Sequence, residues 1–482
     1  MKFIVKIHPE IFVKSSSVRK RFVKILTCNI RIIVQRQTEY VKVFNCRDHI
    51  EVTLKSNFDF EEVLNILKNT PGIHHILQVQ QSYFTDMHDI STQVLKLHRS
   101  NMENKTFSVR VKRHGKHEFT SVELERYIGC FLNESIQSAS VRLVKPDLTI
   151  SIEIFNNKLN QIITRIRGLG GFPLGTQEDV LSLISGGFDS AVSSYLHIKR
   201  GSKTHYCFFN LDGSIHEIMV RKISYFLWKK YGSSAKVNFF SVNFVPVVTE
   251  ILKKIDNSYM SVILKRMFIR AGAILAERYG IQALITGESL GQVSSQTLTN
   301  LRCIDSVTDT LILRPLINWD KEDIIKLARD IGTEVFSKSV PEFCGVISKK
   351  PTVKAIKKKV EIEESKFDFS ILEQVTLDVQ VTNIRNIISK NFQVFPRINQ
   401  VKVAEIDSII LDIRSPDDKS KKPLVMDNVE VRHMPFFRLI NQFKNLDQDK
   451  VYLLYCEHGI MSLYQAINLQ NCGFNNVKIY RP

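Results

Sequence analysis

Lys2–Ile7 has the pattern of an opening β-strand, and Ser15–Ile32 repeats its apolar residues at helical spacing behind three serines able to cap a helix. Asp48–Leu54 reads as a further strand. A helix from Asp59 to Asn69, a turn at Pro71-Gly72, helical periodicity over Thr85–Ser100 and an alternating strand at Thr106–Lys112 follow, and this stretch closes near Arg167. Residues 168–175, Gly-Leu-Gly-Gly-Phe-Pro-Leu-Gly, read as a linker. From Val180 to about Ile347, short apolar strands at Leu181–Ile184, His205–Asn210, Val237–Asn243 and Ala283–Thr286 alternate with helical stretches, the pattern of a doubly wound α/β sheet. Lys349–Lys366 is a mixed-charge stretch, helical or extended, that leads into a poorly patterned connection. A last small α/β unit runs from about Val401 to the end, with strands at Ile409–Ile413 and Val451–Tyr455. The pattern implies α/β and α+β domains over residues 1–60, 61–167, 176–385 and 402–482.

Lys and Arg exceed Asp and Glu by 67 − 49 = 18, and residues 1–60 alone carry twelve basic against five acidic side chains. Such an excess suits a polyanionic partner, although a Lys-, Ile- and Asn-rich composition accounts for part of it. No stretch approaches the roughly 18 consecutive apolar residues of a membrane span, and charge interrupts the N-terminus too early for a secretory signal. The expected setting is the cytoplasm, with no membrane partner. The eight cysteines are scattered and form no Cys-x-x-Cys, which speaks against a zinc ribbon or an iron–sulfur cluster.

Two short segments carry the candidate chemistry. Leu181–Ser190 is a strand running into Ser-Gly-Gly-Phe-Asp-Ser, with a helix expected from Ala191. Glycines admit a phosphate close to the backbone, and the new helix presents N–H groups to it. Leu183, Ile184, Ser185, Gly186, Gly187 and Ser190 are therefore candidate nucleotide contacts, with Asp189 a candidate catalytic group. The loop lacks a Walker Gly-Lys-[Ser/Thr] and is similar instead to the PP-loop family, which adenylates a substrate oxygen and releases pyrophosphate. Lys265 on a helix at Val262–Gly280, Gly287 in Thr-Gly-Glu-Ser-Leu-Gly-Gln, and Gln296 are further candidates for the adenosine side. Lys321, at a strand-to-helix turn, is a candidate stabiliser of the pentavalent phosphorus. In the last unit, the strand Val451–Tyr455 ends at Cys456 in Cys-Glu-His-Gly-Ile-Met-Ser, just before a helix expected near Leu463. This setting favours a thiolate and resembles a rhodanese loop that carries sulfur as a persulfide. Cys344, in Pro-Glu-Phe-Cys-Gly, is a candidate second thiol.

Jointly the motifs resemble the long form of the tRNA 4-thiouridine synthetase (tRNA sulfurtransferase, ThiI) family. The resemblance rests on Pro71–Ile76, Phe84–Met87, Val109–His117, the Ser-Gly-Gly-Phe-Asp-Ser loop, Thr297–Leu301 and Val477–Pro482. It implies a ferredoxin-like N-terminal domain, a THUMP domain, a PP-loop ATPase domain and a C-terminal rhodanese domain. It also implies ATP with Mg2+, uridine 8 of tRNA as target, a cysteine desulfurase as sulfur donor, and sulfur delivery to the thiamine sulfur-carrier protein. A Cys344–Cys456 disulfide would form in turnover. Arg110, Lys112, Arg113 and Lys116, on a strand and turn, suit tRNA phosphates. The family has Arg two residues after the persulfide cysteine, where this chain has His458. Sulfur transfer to the carrier protein alone, and a tRNA-binding scaffold with an idle synthetase, are the alternative readings. The basic segment opposes the first, and the complete loop with Cys456 opposes the second.

Overall fold

The computed structural model describes residues 2–36, 41–46, 48–54, 60–211, 214–338, 351–388, 399–405, 407–414, 419–420, 422–426, 428–435, 439, 442–456 and 460–481. The chain folds into two units, residues 1–176 with 199–201, and residues 177–198 with 202–482.

The first unit is built on one eight-stranded sheet. In chain order its strands are β1 (Lys2–Ile7), β2 (Val41–Asn45), β3 (His49–Leu54), β4 (Ile73–Tyr83), β5 (Thr106–His114), β6 (Ser140–Val141), β7 (Leu148–Phe155) and β8 (Lys158–Arg167), and their spatial order is 2-3-1-4-8-7-5-6. Helices α1 (Pro9–Phe12), α2 (Ser16–Gln35), α3 (Phe60–Lys68), α4 (Met87–Met102) and α5 (Ser121–Ser135) complete it. Phe22, Val23, Leu26, Ile30 and Val34 form one stripe of α2 and pack on Phe3, Val5 and Ile7. A second cluster joins Ile90 and Val94 of α4 to Val109 and Val111 of β5. β4 links the two regions. It pairs with β1 on one side and β8 on the other, so one sheet spans the boundary expected near residue 60. The sequence does not mark β4 as a strand, because it lacks a clean alternation. Ile76 and Leu77 are adjacent and both buried, while Gln80 and Gln81 are adjacent and both exposed.

The glycine-rich segment 168–175 is not slack, as a linker would be. Gly168 N–H donates to His74 O, Gly170 N–H to Ile73 O, Phe172 N–H to Lys199 O, and Gly175 N–H to Gly201 O. Phe172 and Leu174 are buried. Gly171 has φ +72°, and a Cβ there would collide with the Lys199 carbonyl. Its glycines serve close backbone approach.

The second unit holds two sheets. The first contains β9 (Val180–Leu183), β10 (Thr204–Asn210), β11 (Asn238–Asn243), β12 (Ala283–Ile285), β13 (Leu311–Leu313) and β14 (Gln380–Asn383), in the order 13-12-9-10-11-14. Five strands are parallel, and β14 closes the edge antiparallel to β11. Its helices are α6 (Phe188–Lys199), α7 (Ser214–Leu227), α8 (Val245–Lys254), α9 (Met260–Arg278), α10 (Leu298–Asp305), α11 (Lys321–Ile331), α12 (Glu334–Ser337), α13 (Lys357–Glu364) and α14 (Phe369–Leu377). The connection without clear pattern thus contains α14 and β14. The second sheet is wholly parallel, with β15 (Gln400–Val401), β16 (Ile409–Asp412), β17 (Glu430–His433), β18 (Tyr452–Tyr455) and β19 (Val477–Tyr480) in the order 15-19-18-16-17, and α15 (Ile460–Asn471) follows β18. Among the described residues no helix is long and apolar enough to cross a membrane.

Candidate active site

β9 lies between β10 and β12, so the chain winds outward from it in both directions. The carboxyl end of such a strand opens into the crevice where ligands bind in open α/β sheets. Ser185–Gly187 occupy that position, and α6 begins at Phe188, three residues earlier than the sequence suggests. Asp189 and Ser190 consequently sit in the first helical turn. Ile184 N–H bonds to Cys207 O, Gly186 takes φ +86°, and Ser190 Oγ accepts from Ser185 N–H at 3.3 Å while donating to Gly187 O at 3.1 Å. The hydroxyl of Ser190 therefore shapes the loop as well as lining it.

His216 of α7 braces the loop from behind, its Nε2 lying 2.8 Å from Ser185 O. A carbonyl can only accept, so Nε2 carries the proton. Burial pulls this imidazole down to about 4, and it stays neutral at physiological pH.

The second half of the sheet supplies the other wall. Lys321, the first residue of α11, places Nζ 2.8 and 2.9 Å from the two Asp189 carboxylate oxygens, and Gln292 Nε2 donates to Asp189 Oδ2 at 3.0 Å. Gly287 passes against the start of α6. A Cβ there would lie 2.7 Å from Asp189 C and Ser190 N, so only glycine fits.

Lys265 does reach this wall, through a buried charge network. Its Nζ is 3.0 Å from Glu288 Oε1, Arg314 Nε is 2.8 Å from Glu288 Oε2, and Thr286 Oγ1 donates to the same oxygen at 3.0 Å. Burial alone would raise the Glu288 carboxyl, but Lys265 and Arg314 outweigh it and hold the group at about 2. Gln296 is buried in the turn Ser294–Gln296, and its Oε1 meets no protein donor among the described residues. An unsatisfied buried acceptor beside a nucleotide loop is a natural contact for a ligand donor.

The candidate sulfur site has the same layout in the second sheet. Cys456 follows β18 and is buried, and α15 begins at Ile460. The Ser462 backbone N–H donates to Cys456 Sγ at 3.2 Å, and Ser462 Oγ is 3.4 Å away. At the end of neighbouring β16, Arg414 makes two buried hydrogen bonds to Asp412, at 2.9 and 2.8 Å, and lies over the Tyr455 ring. Cys456 is a free thiol here, so the expected disulfide to Cys344 is not present. Cys344 and His458 lie outside the described residues.

In the first unit the basic strand divides between two faces. Arg110 and Lys112 are exposed on one side of β5, whereas Arg113 alternates to the other and contacts His117 Nδ1 at 3.2 Å. Lys116 is exposed in the turn beyond. The structure therefore aligns Arg110 with Lys112 but not with Arg113. His216, Gln292, Glu288, Arg314 and Ser462 are absent from the sequence-based set. Gln292, Glu288 and Ser462 all lie within motifs already singled out, yet their roles depend on contacts that spacing does not show.

A PP-loop ATPase domain combined with a THUMP unit and a small cysteine-bearing α/β domain defines the class of protein. The family described as thiamine biosynthesis protein (ThiI) matches residues 175–369, the THUMP domain residues 84–160, and the ThiI ferredoxin-like domain residues 2–76. The chain is 65 % identical over 482 residues to a tRNA sulfurtransferase of Vibrio parahaemolyticus, with all of both chains covered. The corresponding figures are 64 % over 483 residues for Vibrio cholerae and 62 % over 482 for Photobacterium profundum, again covering both chains fully. The chain belongs to the tRNA sulfurtransferase family. A crystal structure of a 4-thiouridine synthetase–RNA complex with bound ATP shares its fold at 24 % identity and TM-score 0.71, covering 79 % of this chain and 99 % of that one.

Proposed function

We propose that this protein replaces O4 of uridine 8 in tRNA with sulfur, giving 4-thiouridine at the expense of ATP. The observation that carries the reading is the Lys321–Asp189–Gln292 cluster across the glycine loop, in the same chain as a thiol that ends β18 and accepts a helix N–H. The family membership and the ATP- and RNA-bound fold relative support it.

The loop amides hold the β,γ-pyrophosphate, and uridine O4 attacks the α-phosphorus, expelling pyrophosphate. Lys321 exchanges part of its pairing with Asp189 for the charge that develops on phosphorus. Asp189, the loop's own carboxylate, would help hold a Mg2+ ion that comes with ATP, and the ion would supply charge neutralisation for the phosphates. Gln296 and Lys265 face the nucleoside side. A cysteine desulfurase loads Cys456 as a persulfide, whose terminal sulfur attacks C4 as AMP departs. The Cys344 thiol then attacks the Cys456 sulfur, which releases thiolated tRNA and leaves a Cys344–Cys456 disulfide for a thiol reductant to reopen. Persulfide handed instead to the thiamine sulfur-carrier protein is a second use of the same thiol, favoured by the ThiI family match.

Mass spectrometry of tRNA nucleosides tests the reading in cells lacking their own enzyme. The wild-type chain restores 4-thiouridine, and neither Asp189→Ala nor Cys456→Ala does. Restoration by both variants overturns it.

A further inference from the structure

We propose that the groove between α8 and α13 in the second unit holds a stretch of the RNA sugar–phosphate backbone, adding a tRNA contact on the synthetase unit to that of β5. The inference rests on the reading of tRNA as substrate. The groove encloses about 620 Å³, and Lys253, Lys254, Lys359 and Lys366 line it together with Asp256 and Glu363.

The two carboxylates are already committed within the protein. Asp256 accepts from the N–H and hydroxyl of Ser258, and Glu363 from the Asp256 N–H and from Lys366 Nζ. Lys254 pairs with Glu250. Among the described residues no carboxylate lies within ion-pair distance of Lys253 or Lys359. Two exposed ammonium groups therefore face the same depression with no carboxylate in ion-pair reach, and its four lysines exceed its two carboxylates.

The charge pattern of α13 gives a second reason. Its first turn is Lys357-Lys358-Lys359, with no acidic residue, and Glu361, Glu363 and Glu364 lie toward its end. That order opposes the helix dipole at both ends. The helix is held regardless, because Glu364 is buried between Arg266 and Arg270 of α9, with Arg266 Nε 2.8 Å and Arg270 Nη2 3.1 Å from its oxygens. A charge order that works against its own helix points to an outside anion rather than to internal stability. Lysines suit that role, because compact charges on flexible stems adapt to phosphates whose positions are set by an RNA backbone. With Arg113 turned away on β5, Arg110 and Lys112 are a small set for so large a polyanion, and the groove enlarges it.

The test uses the full-length chain and measures tRNA affinity from about 0.05 to 0.3 M salt. In Lys253→Gln/Lys359→Gln, two lost phosphate contacts weaken binding by about tenfold near 0.15 M salt and flatten log K against log[salt] by roughly 1.4–1.8, while ATP binding is unchanged. The inference fails if this variant binds tRNA as the wild type does while Arg110→Gln/Lys112→Gln weakens binding, and the tRNA reading then survives. It fails equally if tRNA binding is unchanged but sulfur loading of Cys456 slows, which would assign the groove to an acidic protein partner. Absence of tRNA binding by the wild type would remove the functional reading itself.

Discussion

The glycine loop after β9 and the cysteine loop after β18 use the same device with different residues. Each follows a parallel strand with neighbours on both sides, and each runs into the N-terminus of a helix. Backbone N–H groups at such a position favour an anion. At β9 the residues are Ser-Gly-Gly, which bring no charge of their own and leave room for a phosphate. At β18 the residue is Cys456, which brings its own sulfur and takes the Ser462 N–H on it. The surroundings differ accordingly. The first loop is faced by fixed opposite charges, Lys321 on Asp189 and the Lys265–Glu288–Arg314 network, whereas the described hydrogen-bond partners of Cys456 are the neutral N–H and hydroxyl of Ser462. One geometry thus offers backbone N–H groups to a ligand at one loop and to the protein's own sulfur at the other, and the loop residues decide which.

The sharpest way to break this comparison is to remove each loop's reactive group. Cys456→Ala should abolish sulfur transfer yet leave ATP-dependent adenylation of tRNA at the wild-type rate, because the two groups lie on different sheets. Asp189→Ala should block adenylation while Cys456 still accepts sulfur from a desulfurase. If either variant, folded by circular dichroism, loses both activities, the two loops are not independent.

A smaller effect is expected from the charge network. Glu288→Gln leaves Lys265 against a neutral amide and Arg314 with Asp305 as its remaining carboxylate, at a cost of about 3 kcal/mol measured by denaturant unfolding at pH 7. The folded carboxyl at about 2 lies below its ordinary 4.5. Its stabilisation is therefore complete above about pH 4.5 and is lost as pH falls toward 2. The stability gap between the two proteins should narrow over that window, and a gap independent of pH would mean that packing, not charge, sets it.

Smaller still, Ser462→Ala removes a hydroxyl but keeps the backbone N–H. Loading of Cys456 should slow by less than about tenfold, the range of one neutral hydrogen bond. A larger loss would show that the hydroxyl, not the helix N–H, holds the sulfur. The least effect is expected from His458→Arg. Histidine loses its charge near pH 6.5, so loading by the wild type should decline on the alkaline side relative to the variant between about pH 6 and 9. Superimposable profiles would show that the charge of His458 does not affect loading.

By itself the sequence determined what is local. Ser185–Ser190 after an apolar strand, Cys456 before a helix, and the strand–helix rhythm of 180–330 are short-range patterns, because glycine conformation, strand alternation and helix capping act over a few residues. Four strands, β9 to β12, lie within a residue or so of where that rhythm puts them. What only the tertiary structure decided is which distant residues meet. β4 and β14 are strands because β1, β8 and β11 offer them open hydrogen bonds, not because their own patterns demand it. Residues 168–175 look like a linker until Ile73, His74, Lys199 and Gly201 bond to them. Lys321 meets Asp189 across 132 positions, and Arg314 meets Glu288 across 26. No spacing rule encodes those distances, since they follow from the order in which the sheet stacks its strands.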